Sequence, residues 1–460
     1  MAMTWREDLR FYVLAGFLAI TFLLGGGARA DVQSLFFLRP AAALVVGYAC
    51  LSLTREHVRQ YRFAFVMLGS LAALLLVQLV PLPGSVWGAL PGRDIVSRVD
   101  DVAGLGSVWR PLSLVPGATI NALFSLLVPA AVLLLGVQLK REQQYRLLPV
   151  VLGILLMSGL WGLLQVIGDP NGPLYLYRVT NNGSSVGLFS NRNHQAIALA
   201  TLFPILSVFA SSGGSSQERA GFWFWLSLAF GAATIPLVLV TGSRSGLLVS
   251  LVGLSSVALI FRPGGESGHG KRKTSSFDPR FLMIAFVILC LGAITIIMSR
   301  AEAFKRLATG DQLDDLRFQV WGPIADIGWK YFPFGSGAGS FPEVYQLDEL
   351  TRLLGPNFLN HAHNDYLEVF VTAGLPGLLL VLVALFAWAR AAITAFSRGT
   401  IAGRERSYVR AGLTIIAIFA LGSLGDYPLR TPSLACLFVV ALLWSRVWAE
   451  YTPKISGGQG

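Results

Sequence analysis

Long apolar runs separated by short polar stretches set the pattern of this chain from residue 11 to residue 449. A helix needs about 20 apolar residues to cross a bilayer, or slightly fewer with polar flanks. The pattern predicts an all-α polytopic membrane protein with about twelve transmembrane helices. They fall at 11–27, 35–53, 63–80, 119–138, 147–167, 194–211, 221–241, 245–261, 281–299, 366–390, 409–424 and 433–449. A transmembrane barrel would show short alternating segments instead. No soluble domain is appended, so residues 1–460 read as one integral membrane domain.

Composition agrees: 54% of residues are hydrophobic and 13% charged, against about 25% charged in soluble domains. Twelve spans put both termini on one side of the membrane. The loops on that side hold 21 Lys+Arg against 9 Asp+Glu, and the opposite loops 14 against 16. The positive-inside rule makes the termini cytoplasmic. The net charge of +11 is then a feature of topology, with membrane lipids as its neighbours. It is not a nucleic-acid surface, since no basic domain carries one. Arg6 and Arg10 precede an apolar run ending in Ala28-Arg29-Ala30, which has the outline of a signal peptide. Cys50, Cys290 and Cys436 lie far apart inside predicted spans, where a thiol serves as a small apolar core residue.

The outward loops at 81–118, 168–193 and 300–365 are the unusual ones. In the longest, between spans nine and ten, Leu313, Leu316, Val320, Ile324 and Ile327 recur at helical spacing. They predict an amphipathic helix on the membrane surface or over a cavity. The glycines of FPFGSGAGSFPEVY (332–345) lack the strand and βαβ unit of a dinucleotide loop. They read as a tight turn that lets backbone approach a bulky ligand.

Candidate chemistry gathers on this outer side. Arg244, in the short VTGSRSG connection, is an interfacial anchor or a planar fork for a phosphate. Arg317 is a surface ion pair or a second such fork. Arg192 and His194 sit in SNRNHQA, where Asn191 or Asn193 caps the next helix. Arg39 lies inside a span, where a charge is costly and tends to mark a site. In HAHNDYLEVFVTAGLPG (361–377), Asp365 and Glu368 have the spacing of a helix cap. His361 and His363 would sit about 200° apart around a helix, which disfavours a shared metal. An imidazole at the positive end of a helix is disfavoured in its charged form, which suits a general base.

His363-Asn364, nine residues, then Gly374-Leu-Pro-Gly377 resembles the H-[NSQ]-x9-G-x-x-G signature of the bacterial O-antigen ligase and polymerase superfamily. TGSRSG, LRFQVWGPI with FGSGAGSF, and SNRNHQA resemble that family's other blocks in the same order, so the motifs span 187–377. The resemblance implies a multi-pass protein of the bacterial inner membrane with its active site facing the periplasm. It implies transfer of a glycan from an undecaprenyl-diphosphate carrier to an acceptor hydroxyl, inverting, with no metal and no cofactor. By position, His363 would deprotonate the acceptor, while Arg244 and Arg317 would grip the diphosphate. Arg192, His194, Arg39 and Asn364 would line the substrate site, and His361 receives no role. The expected acceptor is the lipid A core of lipopolysaccharide, making the chain a ligase. A growing glycan acceptor would make it an O-antigen or exopolysaccharide polymerase. A protein O-glycosyltransferase is a weaker alternative. A transporter or flippase is disfavoured, because transporters hold polar groups near the bilayer midplane.

Overall fold

The computed structural model describes residues 5–106, 108–211, 217–261, 312–351, 354, 358–397, 401 and 403–445. The helices run α1 (Trp5–Leu24), α2 (Leu35–Cys50), α3 (Arg55–Gln60), α4 (Arg62–Gln78), α5 (Gly84–Gly88) and α6 (Asp94–Val102). Next come α7 (Pro116–Ser125), α8 (Leu127–Gly136), α9 (Arg141–Ile167), α10 (Arg192–Ala200), α11 (Leu202–Ser211), α12 (Gln217–Val240) and α13 (Arg244–Ile260). The remainder are α14 (Gln312–Lys330), α15 (Phe341–Asp348), α16 (Asp365–Phe396), α17 (Gly403–Gly422) and α18 (Pro432–Ser445). The short antiparallel strands β1 (Pro81–Leu82) and β2 (Arg110–Pro111) close the base of an outer loop.

Apart from the segment 281–299, which lies outside the described residues, every predicted span coincides with a helix or a helix pair. Five helical segments among the described residues are long and apolar enough to cross a membrane: Pro116–Gly136, Arg141–Ile167, Arg192–Ser211, Arg219–Val240 and Asp365–Phe396. Shorter apolar helices pack beside them at Leu35–Cys50, Arg62–Gln78, Arg244–Ile260 and Pro432–Ser445. This is an all-α multi-pass membrane protein.

Burial separates two kinds of helix. The α10–α11 pair is the centre of the bundle, enclosed on nearly every side, whereas α12 and α16 expose leucine, isoleucine and phenylalanine along much of their length. Apolar side chains turned outward are what lipid accommodates and water does not. The core runs from Phe11, Leu14, Leu18 and Phe22 on α1 through Leu134 and Leu148 to Ile197 and Trp444. Gly253 of α13 lies so close to the Ala200 carbonyl that a Cβ would come within 2.6 Å of it. Small residues at such crossings are how membrane helices gain packing contact.

The amphipathic helix expected in the long outer loop is α14. Val320, Ile324 and Ile327 are buried there with Tyr331, Phe341, Tyr345 and Val371 in a second, smaller core. The side chains of Leu313, Leu316 and Arg317 lie outside the described residues.

Candidate active site

The loop between α17 and α18, residues 423–431, gathers helix starts from across the chain. Its centre is Asp426, completely buried. Asn193 Nδ2 donates to Asp426 Oδ2 at 2.6 Å and Asn191 Nδ2 approaches the same oxygen at 3.4 Å. The Tyr427 N–H donates to Oδ1 at 2.9 Å. Two imidazoles face that same Oδ1: His194 through Nε2 at 3.7 Å and His363 through Nδ1 at 3.6 Å. Burial works against a charge on Asp426, but the two imidazoles hold its carboxyl well below the usual carboxylate range. The carboxylate is fixed by Asn193, Asn191 and the Tyr427 N–H, and the two imidazoles face it without a hydrogen bond.

His194 and His363 differ in access. His194 is fully buried, with Nδ1 2.9 Å from Thr431 Oγ1, so both of its nitrogens face protein groups. His363 keeps 17% of its side chain exposed. Its backbone lies at φ +48°, the only non-glycine at positive φ among the described residues. That conformation costs about 1–3 kcal/mol and is held only where the surroundings dictate it. The surroundings here are the start of α16. Asn364 Oδ1 accepts from the N–H groups of Tyr366 and Leu367 at 3.0 and 3.1 Å, and the Asp365 N–H donates to the Ser423 carbonyl at 2.9 Å.

Asn364 is therefore the cap, which corrects the expectation that Asp365 and Glu368 supply it. Both carboxylates turn inward instead. Glu368, 1% exposed, accepts from the Ala362 N–H at 3.0 Å and pairs with His361 Nδ1 and with Arg430 Nη1, each at 3.0 Å. Arg430 Nε donates to Asp365 Oδ1 at 2.8 Å, and Ser423 Oγ donates to Oδ2 at 3.1 Å. Burial opposes the charge of Arg430, but Glu368 and Asp365 raise its pKa above the ordinary arginine value. The Tyr427 ring fills the space between the histidines, with centroids 4.2 Å from His361, 5.1 Å from His363 and 5.2 Å from His194.

Of the remaining candidates, Arg192 begins α10 directly after Asn191, whose side chain caps that helix by accepting from the Asn193 N–H. Arg244 begins α13 after the Ser243 cap and is half-buried. Its neighbour Ser245 stands against Gly425, where an added Cβ would lie 3.6 Å from the serine Cβ. The starts of α10, α13 and α16 thus meet around one loop. Arg39 stands apart: its Nη2 donates to Asn121 Oδ1 at 2.6 Å, and no described contact joins it to the Asp426 group. Arg317 lies on α14, its side chain beyond description.

The glycine-rich turn does something other than expected. Gly335, Gly337 and Gly339 all have positive φ, and the space a Cβ would need is taken by Thr372, Ser113 and Ala118. The turn admits its own chain, where a bulky ligand was anticipated. Gly374 of the signature completes the contact. It kinks α16 at φ +55°, and a Cβ there would sit 2.2 Å from the Pro333 carbonyl oxygen. Gln78 joins both sides, donating to the Thr372 carbonyl at 3.0 Å and accepting from the Ala338 N–H at 2.8 Å. Arg93, 1% exposed, donates to the Leu112 and Gly335 carbonyls and lies between the rings of Trp87 and Tyr331. Burial lowers its pKa to about 10, with Tyr331 acting in the opposite sense.

Asp426, Tyr427 and Arg430 are the residues that sequence reasoning missed. The signal was present: GDYPLRTP (425–432) places an Asp and an Arg in a short connection between two apolar helices. No pairwise spacing links it to residues 191–194 or 361–368, because the proximity is made by helix packing alone.

No curated protein matches the chain significantly. Residues 228–382 match the family described as O-antigen ligase, a segment running from α12 to α16 that includes Arg244, Arg317 and the whole His363–Gly377 signature. That segment is similar to the O-antigen ligase family over about a third of the chain, and its signature histidine faces a buried carboxylate, Asp426, contributed from outside it.

Proposed function

We propose that the chain is a membrane glycosyltransferase that moves a glycan from an undecaprenyl-diphosphate carrier to an acceptor hydroxyl at the periplasmic face. The acceptor is the lipid A core, which makes it an O-antigen ligase. The observation that carries this reading is a partly open His363, at a helix start within the matched segment, facing buried Asp426 from the 423–431 loop.

The chemistry follows from that pair. With Nδ1 turned to Asp426, His363 offers Nε2 as the nitrogen that accepts a proton. It takes the proton of the acceptor hydroxyl as that oxygen attacks the anomeric carbon. The bond from this carbon to the diphosphate oxygen breaks, and the undecaprenyl diphosphate leaves with the electron pair. A diphosphate leaving group needs charge stabilisation more than protonation. Arg244 and Arg317 are assigned that role, since planar guanidiniums bind phosphate oxygens in pairs. A single displacement of this kind inverts the anomeric centre.

The test is transfer by purified protein, given a lipid-linked glycan donor and lipid A core without ATP. Product should form, and His363→Ala should lower the rate about 10²–10⁴-fold, with Arg244→Ala comparably impaired. Unchanged turnover in both variants overturns the assignment of the site. Chains lengthened on the carrier without transfer to lipid A core identify a polymerase instead.

A further inference from the structure

His361 is left unused by the reaction above, yet its surroundings resemble those of His363, with a hydrogen bond at Nδ1 that His363 lacks. Both imidazoles lie against the Tyr427 ring. Both turn Nδ1 toward a buried carboxylate, Glu368 at 3.0 Å for His361 and Asp426 at 3.6 Å for His363. Both are partly open, at 15% and 17% of the side chain. The His361 pair is the shorter, and its carboxylate is fixed further by the Ala362 N–H and Arg430.

A carboxylate at Nδ1 fixes the tautomer, with the proton on Nδ1 and a lone pair on Nε2. That Nε2 has no hydrogen-bond partner among the described residues, nor is it among their buried unsatisfied atoms. His194 supplies the contrast, being closed from the outside with both nitrogens facing protein. An imidazole needed only for packing resembles His194. One braced on a carboxylate with its far nitrogen open is arranged for a ligand.

We propose that His361 is a second substrate-contacting imidazole, accepting at Nε2 a hydrogen bond from an acceptor-glycan hydroxyl next to the one His363 deprotonates. The proposal rests on the glycosyl-transfer reading and deepens it: the acceptor is recognised through two neighbouring hydroxyls. The charged groups facing His361 are Glu368 and Arg430, with Asp365 in electrostatic reach. Tyr427 packs on its ring, and beyond that ring stand His363, His194 and Asp426.

The experiment uses the full chain in detergent with a lipid-linked glycan donor and a glycan acceptor. For His361→Ala, kcat/KM for the acceptor should fall about 10–10²-fold. The loss should appear mainly in acceptor KM, with donor KM unchanged. An active His361→Ala with unaltered acceptor KM overturns the proposal and leaves the glycosyl-transfer reading standing. Should that variant fail to fold, His361→Phe, which keeps a ring against Tyr427 and removes Nε2, decides: wild-type acceptor KM in folded His361→Phe overturns the proposal. A folded wild-type protein that transfers no glycan overturns both readings together.

Discussion

Two regions of this molecule join distant segments by opposite means. Around Asp426 the joints are charges and side-chain donors: two imidazoles, two asparagines and a guanidinium bridging two carboxylates. Around the 332–339 turn the joints are backbone. Glycines lie against carbonyls, and Gln78 and Arg93 bond to main-chain atoms. The first kind leaves functional groups partly open, as at His361 and His363. The second closes everything and offers nothing to a ligand. Signature residues are divided between the two, with His363 in the charged, partly open region and Gly374 in the closed, backbone one. Mutation should therefore split the signature into an activity half and a stability half.

The largest effect should come from the charged region. Asp426→Asn keeps the size and loses the charge that faces His363, and the transfer rate of the folded variant should fall at least about 10²-fold. A variant that retains full rate would remove Asp426 from the reaction. Gly374→Ala should do the reverse. It adds a Cβ 2.2 Å from the Pro333 carbonyl oxygen at a φ of +55°, and should cost about 2–4 kcal/mol of stability, read by thermal denaturation in detergent. Whatever folds should keep its kcat. A third comparison uses acid. Asp426 is held below its unfolded pKa, so its contribution is present above about pH 4 and is lost as pH falls through the lower native value. Wild-type stability should drop below about pH 4 more steeply than that of Asp426→Asn. The smallest effect is at the cap: Asn364→Ala should cost about 1 kcal/mol, and Asn364→Ser should restore most of it. An Asn364→Ser variant that folds well but binds donor or acceptor poorly would show that this residue also meets substrate.

The helices were legible because a bilayer imposes a period and a length on the sequence. The starts of α10, α13 and α16 were legible too, since a polar residue ahead of an apolar run has few other uses. The capping role of Asn364, which was assigned to the substrate site, was missed because Asp365 and Glu368 have suitable spacing of their own. Only the packing shows that Arg430 and His361 claim those carboxylates. The turn glycines were read correctly as close approach, but sequence does not say what approaches. Asp426 was invisible for a deeper reason. Its partners are 63 and 232 residues away, at His363 and His194, and no local periodicity spans such distances.

The position of the Asp426 loop also has a consequence for biosynthesis. His194 and His363 enter the membrane long before the loop that orients them is translated. A nascent chain ending before residue 423 holds both imidazoles and the cap at Asn364, but neither Asp426 nor Arg430. The same late segment closes the bundle on its earliest part, since Ser433 donates to the Gly25 carbonyl through both its N–H and its Oγ at 3.0 Å. A chain stopped before residue 423 therefore lacks both the carboxylate that faces the two histidines and the contact that closes the bundle.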